Sequence, residues 1–151
     1  MIAPNGLTEI ITQFGDPTRM SPAAWEDSQI VRIVLPESLG FENLRVTRIT
    51  AHHLIAAHLS DTLKKIHDAG LWAAIDPYGG GYAARAQRGS QKLSLHAWGL
   101  AWDFRPEENA LGTAGTMDQR VVGIFEAAGF TWGGRFHKRL DPMHFQMGTN
   151  Y

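Results

Sequence analysis

Residues 50–69 carry apolar side chains at the spacing that places them on one face of an α-helix. The apolar positions are Leu54, Ile55, Leu59, Leu63 and Ile66. Gly70 follows this stretch, and glycine is common just beyond the C-terminus of a helix. The pattern therefore predicts a long amphipathic helix that packs one face against the rest of the protein.

Two shorter helices are predicted on either side of the long one. Near the N-terminus, Asn5 is placed to cap a helix that Gly15 ends. Further along, Thr116 and Gln119 have the spacing of a capping box, and Gly129 closes the apolar stretch that follows them. The first of these helices is interpreted as a packing element that carries no chemistry.

Strand patterns occupy much of the remaining chain. Residues 29–35 are rich in Ile and Val, and residues 44–49 alternate loosely between apolar side chains and arginine, so both are predicted as strands. Shorter strand-like segments follow at 71–75, 100–104, 130–132 and 144–147. Residues 78–90, rich in Gly, Ala and Arg, are predicted as a loop. The mixed order of helices and strands favours an α+β fold, a small antiparallel sheet with flanking helices.

Composition narrows the possible functions. The chain has 151 residues, 44% of them hydrophobic, which suffices for one domain with its own core, predicted to span residues 1–151. The formal net charge is -1 with acidic and basic residues interspersed, so nucleic acid and anionic membranes are not expected as partners. No cysteine is present, and any transition metal must therefore be bound by imidazole and carboxylate groups.

Four of the seven histidines fall within the predicted long helix or at its start: His52, His53, His58 and His67. No two of them have the i, i+4 spacing that places two imidazoles on one helix face for zinc. The chain also lacks a His-Glu-x-x-His motif. These histidines are interpreted as surface or packed residues that bind no metal.

The segment from Ser94 to Asp103 has a different character. His96 and Asp103 bracket glycine and alanine positions, where the backbone can approach other groups closely. Asp103 lies in an alternating apolar run, and a buried carboxylate is costly unless it is paired or bound to a metal. From the spacing alone, an ion pair with Arg105 or another arginine and a metal site both remain open.

A second segment places Asp141 three residues before His144, across a turn that contains a proline. Such a turn can bring the carboxylate next to a catalytic water while the imidazole binds a metal. His96, Asp103 and His144 then give three protein ligands and leave a fourth zinc position open for water or substrate, as catalytic zinc sites require. A structural zinc would be expected to have four protein ligands.

The two segments resemble the zinc D-alanyl-D-alanine carboxypeptidases and L-alanyl-D-glutamate endopeptidases, a family with VanY-like enzymes and several phage endolysins. The family pattern Ser-x-His-x-x-Gly-x-Ala-x-Asp is met from Ser94 to Asp103, and Asp-x-x-His-Phe from Asp141 to Phe145. Trp132-Gly-Gly stands just upstream of the second motif, and the resemblance extends from about Thr50 to Gln146. It implies an α+β fold of the type shared by these peptidases and hedgehog domains.

The resemblance also implies roles for individual residues. The implied zinc (Zn2+) ligands are His96, Asp103 and His144, and the implied general base is Asp141. The family has a functional arginine in the loop before its Ser-x-His motif. Here that loop offers Arg85, which is the preferred candidate, and Arg88. Because the loop departs from the tighter Tyr-Arg form of the carboxypeptidases, it favours the endopeptidase side of the family.

Three further residues are candidates for contact with substrate: Arg88, Ser94 and Trp132. Ser94 is equally well interpreted as a residue that positions a metal ligand, and it is not expected to be a nucleophile. The indole rings of Trp98, Trp102 and Trp132 are open to two interpretations, walls of a groove or packing in the core.

We therefore expect a zinc metallopeptidase that cuts an amide bond in the stem peptides of bacterial peptidoglycan, an L-alanyl-D-glutamate endopeptidase of the endolysin type. The alternative is a D-alanyl-D-alanine carboxypeptidase with the same zinc site. An alternative of another class is a catalytically inactive, zinc-stabilised module that binds the cell wall. The presence of Asp141 disfavours that alternative, because a structural site needs no general base.

The N-terminus bears on where such an enzyme would act. It has no basic region followed by an apolar stretch, and no apolar run in the chain approaches ~18 residues. The protein is therefore expected to be made in the cytoplasm without a signal peptide and to reach the cell wall after release or lysis.

Overall fold

The computed structural model describes all 151 residues. The four α-helices are α1 (Gly6–Phe14), α2 (Pro22–Gln29), α3 (Ala56–Asp68) and α4 (Gln119–Ala127). The six strands are β1 (Ile30–Phe41), β2 (Leu44–His52), β3 (Tyr78–Gly80), β4 (Ala101–Phe104), β5 (Thr131–Trp132) and β6 (His144–Gln146). The α+β fold predicted from the sequence is confirmed. None of the helices has the length and apolar character needed to cross a membrane.

The strands form two antiparallel sheets. β1 and β2 make a long hairpin, which we call the β1–β2 hairpin. The other four strands form one sheet in the order β3-β4-β6-β5. In this sheet Asp103 on β4 is the direct register partner of His144 on β6. Antiparallel pairing thus places two residues that are distant in sequence side by side.

One apolar cluster of 31 buried residues supports both sheets. Strands β4 and β6 lie inside it, and their buried apolar residues are Ala101, Trp102, Phe104 and Phe145. Helix α3 contributes Leu59, Leu63 and Ile66, which confirms the apolar face predicted for that helix. Each large apolar side chain that becomes fully buried stabilises the fold by about 1.5–3 kcal/mol. The segment that carries Asp103 and His144 is therefore held rigidly.

The long helix predicted over residues 50–69 is shorter in the structure. Strand β2 continues to His52, and α3 begins only at Ala56. Of the four histidines assigned to this helix, His58 and His67 lie on it, whereas the other two precede it. Hydrogen bonding of the segment to β1 outweighs the helical spacing of its apolar residues, because tertiary pairing overrides local propensity.

The strand predicted at residues 71–75 is wrong, because Trp72–Ile75 forms a 3-10 helix. The loop predicted at residues 78–90 begins with strand β3 instead. The first predicted strand extends past its expected end to Phe41, and its pairing shifts register between Val34 and Leu39. Short segments with apolar residues are hard to assign by pattern alone, since a strand and a helical turn both accommodate them.

The predicted capping box is also wrong, whereas Asn5 is the N-cap residue of α1 as predicted. The N-cap of α4 is Asp118, whose side chain accepts a hydrogen bond from the Arg120 N–H, so the predicted capping box does not form. Asn5 precedes α1, but its side chain makes no capping hydrogen bond; its own N–H donates to Glu9 Oε2. Helix α2 was not predicted, although Ser21 caps it by accepting from the backbone of its first turn.

Candidate metal centre

The three residues predicted as metal ligands come together in the structure. Candidate ligand atoms of His96, Asp103 and His144 all lie within 4.8 Å of one another. His144 Nδ1 is 3.1 Å from Asp103 Oδ1, and His96 Nε2 is 3.3 Å from Asp103 Oδ2. Both imidazoles are buried and the carboxylate is largely so. We call these three residues the His-Asp-His cluster.

Local backbone structure places His96 in the cluster. The residue lies on a 3-10 helix, Leu95–Trp98, whose N-terminal cap is Ser94. Ser94 Oγ accepts a hydrogen bond from the His96 N–H at 3.2 Å. The chain then turns into β4 at Gly99, which has φ of 77° and whose missing Cβ would lie 2.9 Å from the His52 nitrogen. A side chain at position 99 would be strained and would clash, so this turn requires glycine.

Hydrogen bonds from outside the cluster fix the orientation of both imidazoles. His96 Nδ1 lies 2.7 Å from the carbonyl oxygen of Gly81, so Nδ1 carries the proton that it donates there. His144 Nε2 lies 2.8 Å from Gln146 Oε1, and the Gln146 amide donates to the Gly148 carbonyl at 2.9 Å. The remaining nitrogen of each ring, Nε2 of His96 and Nδ1 of His144, faces Asp103. Such supporting hydrogen bonds are typical of histidines that bind metals.

Asp103 is held as a carboxylate. Burial opposes its ionisation, but interaction with His144 and His96 lowers the pKa of Asp103 well below its ordinary value. Burial likewise opposes the charged form of His144, whereas hydrogen bonding and charge attraction from Asp103 raise the pKa of that imidazole. Arg105 pairs with Glu108 instead of Asp103. The alternative interpretation of Asp103 as a partner of Arg105 is therefore wrong.

Asp141 lies at the edge of the cluster. Its Oδ2 is 3.9 Å from His144 Nδ1, and its Oδ1 is buried with no hydrogen-bond partner. The Asp141 N–H donates to the Gly133 carbonyl at 2.9 Å, which anchors the turn before β6. Burial raises the pKa of Asp141, and although His144 opposes this shift, the net direction is upward. A raised pKa makes the carboxylate a stronger base, which suits a group that accepts a proton.

The cluster fits a zinc ion. Its atoms are two imidazole nitrogens and a carboxylate oxygen, which are ordinary zinc ligands. Because the ring proton is on Nδ1, the buried His96 Nε2 faces Asp103 Oδ2 at 3.3 Å without a hydrogen bond, and an unsatisfied polar atom in such a place is costly. A cation at this point would satisfy it. Three protein ligands leave a coordination position for water or substrate.

The two candidate arginines occupy different places. Arg85 is exposed and lines a cleft together with His96 and Asp103. Arg88 is also exposed; its carbonyl oxygen accepts a hydrogen bond from Arg139, and its charge acts to lower the pKa of Asp141. Both arginines therefore border the site from residues 78–90, and the structure places Arg85 in the cleft that His96 and Asp103 line.

The remaining candidate residues are mainly structural in their contacts. Ser94 contacts the backbone of His96 as described. Trp98 and Trp102 are buried, and their indole N–H groups donate to the carbonyls of Gly15 and Thr50. Trp132 is 7% exposed and donates to the Pro142 carbonyl at 2.8 Å, which supports the turn that carries Asp141. A contact between Trp132 and substrate stays a prediction.

Sequence reasoning did not identify the two groups that orient the imidazoles. Gln146 could have been found, because it is two residues beyond His144 in a strand and alternate residues share a face. The Gly81 carbonyl could not, because a backbone oxygen gives no signal in the pattern of side chains.

Comparison with known proteins agrees with this geometry. Residues 88–147 match the model of a protein family described as D-alanyl-D-alanine carboxypeptidase. The matched segment contains all three residues of the His-Asp-His cluster and Asp141, and it leaves out α1, α2, α3 and the β1–β2 hairpin. A comparison with curated proteins gives no match. The resemblance inferred from the sequence is thus supported at the level of a metallopeptidase family.

Proposed function

We propose that this protein is a zinc peptidase that hydrolyses an amide bond in the stem peptides of bacterial peptidoglycan. The observation that carries the proposal is the His-Asp-His cluster, in which a buried His96 nitrogen has no partner and the Asp141 carboxyl lies alongside. A family match over residues 88–147 that includes all four residues supports it. Fold and metal alone would not define the substrate class.

His96, Asp103 and His144 would hold the metal. Bound zinc would polarise the scissile carbonyl and lower the pKa of a water ligand to ~7, which makes a nucleophile available at neutral pH. Hydrogen bonds to Gly81 and Gln146 keep both imidazoles in the tautomers that binding requires. Burial of the cluster restricts competing water, so the charges in the site act on one another more strongly.

Asp141 acts as the general base. Its unpartnered Oδ1 accepts a proton from the attacking water and later returns it to the leaving amine. The raised pKa of Asp141, caused first by burial, suits a group that must both take up and release a proton. Arg85, which lines the cleft beside the ligands, stabilises the negative oxygen that develops on the substrate carbonyl.

The bond that we assign to this site is L-alanyl-D-glutamate. The support for it is the loop of residues 82–88. Its arginines, Arg85 and Arg88, do not directly follow Tyr82, whereas the carboxypeptidases have the tighter Tyr-Arg form. A second candidate is the D-alanyl-D-alanine bond, which the description of the matched family favours. The enzyme would meet either bond in the cell wall after release from the cytoplasm or lysis of the cell.

The test is digestion of purified sacculi, with mass spectrometry of the released fragments. Wild-type protein should release peptides with new termini at the L-alanyl-D-glutamate bond, and a chelator should abolish release until zinc is restored. Loss of a single terminal D-alanine would identify the carboxypeptidase instead. Asp141→Asn should lower the rate by at least ~100-fold, because it removes the general base, while zinc content stays near that of wild type.

A negative result would also be informative. If wild-type protein holds about one zinc ion per chain but cuts no wall peptide, the inactive wall-binding module becomes the better description. If Asp141→Asn cuts at the wild-type rate, Asp141 is not the base and the proposed mechanism is wrong.

A further inference from the structure

A cleft of about 420 Å³ opens beside the His-Asp-His cluster. His96 and Asp103 lie in its wall, so a molecule that occupies the cleft adjoins the candidate metal. One side of the cleft is the chain that includes β3 and the start of the following loop. Another part of the wall is built by the β1–β2 hairpin, which lies outside the segment that matches the family model.

Three of the hairpin residues that line the cleft, beside Phe41 and Ile49, follow the alternation along β2. Val46, Arg48 and Thr50 are spaced two apart, and all three line it. Residues at this spacing share one face of a strand. Arg48 is exposed and stands in the middle of this row. It is therefore the charged side chain that the hairpin presents to the cleft.

The hairpin is anchored on both sides of Arg48. Toward the turn, Arg45 pairs with Asp76 at 3.1 Å, and Asp76 also accepts from the Gly40 N–H at 2.8 Å. Toward the other end, Thr50 Oγ1 accepts from the Tyr82 N–H at 2.9 Å. These contacts hold the hairpin backbone on both sides of Arg48 against residues 76 and 82.

The cleft carries an excess of positive charge. Its charged lining residues are Arg48, Arg85 and Asp103, with His96 beside them. Asp103 is engaged by the two histidines of the cluster, so it does not neutralise either arginine. The Arg48 side chain forms no ion pair or hydrogen bond within the protein, and the Arg85 guanidinium hydrogen-bonds only to the Ala86 carbonyl, at 3.5 Å. Two guanidinium groups thus remain available to an anion.

The rest of the lining is largely apolar and aromatic, with Phe41, Tyr78 and Tyr82 in the walls. An apolar surround weakens competition from water, which strengthens an ion pair formed inside it. Guanidinium groups bind carboxylates through two parallel N–H donors, a geometry that ammonium groups cannot reproduce. The chemistry of the cleft therefore selects a peptide that bears a carboxylate near the bond to be cut.

We infer that Arg48 binds a carboxylate of the peptide substrate and thereby determines substrate specificity, while Arg85 stays free to act on the scissile carbonyl. This inference rests on the proposed peptidase function. The carboxylate could belong to the chain terminus or to an internal acidic residue such as γ-linked glutamate; the shared chemistry is a carboxylate beside the scissile bond. Arg48 acts on binding and positioning and takes no part in proton transfer.

The experiment uses three synthetic stem pentapeptides that contain both the L-alanyl-D-glutamate and the D-alanyl-D-alanine bonds. One has all its carboxylates free, one is amidated at the glutamate α-carboxylate, and one is amidated at the C-terminus. Wild type is compared with Arg48→Gln and Arg48→Lys. Arg32→Gln is the matched control, because Arg32 is an exposed arginine of the same hairpin that does not line the cleft.

Arg48→Gln should raise KM for the free pentapeptide by about 10- to 100-fold, with kcat changed much less, because one charge-assisted contact is lost. Arg48→Lys should recover only part of this loss, and Arg32→Gln should behave as wild type. Amidation of the recognised carboxylate should raise the KM of wild type to that of Arg48→Gln. The two proteins should then be indistinguishable on that amidated peptide. The amidated position that does so identifies the source of the carboxylate.

Calorimetric titration of the same pentapeptide into zinc-loaded Asp141→Asn, with and without Arg48→Gln, separates this inference from the proposed function. If wild type cuts no peptide but Arg48→Gln still weakens binding, the reaction is misassigned and the carboxylate site stands. If Arg48→Gln changes neither binding nor KM, the inference is overturned. It is also overturned if Arg48→Gln raises KM by the same factor for the free pentapeptide and for both amidated ones.

Discussion

Buried histidines occur in two environments in this protein, around His52 and in the His-Asp-His cluster, and the two differ in what the ring nitrogens contact. His52, at the end of β2, is fully buried against the aromatic rings of Phe14 and Trp25. Its Nε2 lies 3.1 Å from the Phe14 carbonyl, and its Nδ1 accepts from the Leu54 N–H at 3.2 Å. Both ring nitrogens are therefore satisfied by backbone groups, and no carboxylate forms an ion pair with the ring.

The His-Asp-His cluster differs in each of these respects. Each imidazole uses one nitrogen to hold its orientation and turns the other toward Asp103. Burial and the neighbouring His53 lower the pKa of His52 to about 4, whereas the pKa of His144 is raised because carboxylates outweigh its burial. The contrast teaches that burial alone does not distinguish the two environments; the difference is the ring nitrogen that each histidine of the cluster turns toward a carboxylate.

The largest expected effect comes from removing a ligand. His144→Ala should lose bound zinc and lower the rate of wall-peptide cleavage by at least about 1000-fold, since the metal supplies several kcal/mol of transition-state stabilisation. Zinc content by mass spectrometry and peptide release from sacculi measure both losses, with circular dichroism as the check on folding. His53→Ala, at an exposed histidine, is the control and should keep zinc and activity. Full zinc content in folded His144→Ala would contradict the cluster as the metal site.

A smaller effect is expected from the residue that orients His144. Gln146→Leu removes the acceptor for His144 Nε2 and should weaken zinc affinity by about 10- to 100-fold. Competition with a chromophoric chelator gives the affinity. Gln13→Leu makes the same change at an exposed position and should have no effect. Equal affinities in the two variants would mean that Gln146 does not support the ligand.

The smallest effect concerns His52 and stability, not activity. Because the folded-state pKa of His52 is about 4, below its ordinary value of 6.5, the unfolded chain binds more protons between these values. The stability that the neutral ring contributes is fully present above about pH 6.5 and is lost as the pH falls through about 4. This loss should be about 3 kcal/mol, because each unit of difference in pKa corresponds to about 1.4 kcal/mol.

Urea unfolding at about pH 7 and about pH 4 measures this dependence. His52→Gln should show a correspondingly smaller loss of unfolding free energy over the same interval, since glutamine does not titrate. An identical pH dependence in the two proteins would contradict the assignment of His52 as a neutral structural residue.

The difference between His52 and the His-Asp-His cluster also explains which sequence predictions succeeded. Both motifs were identified because they use rare combinations of histidine, glycine and aspartate at fixed spacing, and the side chains of His96, Asp103 and His144 do meet. His52 was correctly set apart from the metal site but was placed on a helix. Its strand depends on pairing with Ile30, and nothing in residues 50–55 reveals that partner.

The sequence by itself determined the chemical types available to the site: no thiolate, two motifs with imidazole and carboxylate groups, and a glycine at the turn that follows His96. Only the tertiary structure decided how they act together. The register of β4 with β6 sets Asp103 beside His144, a backbone carbonyl fixes the tautomer of His96, and the hairpin brings Arg48 to the cleft. These relations depend on contacts between residues far apart in the chain, and local patterns of side chains carry no information about such contacts.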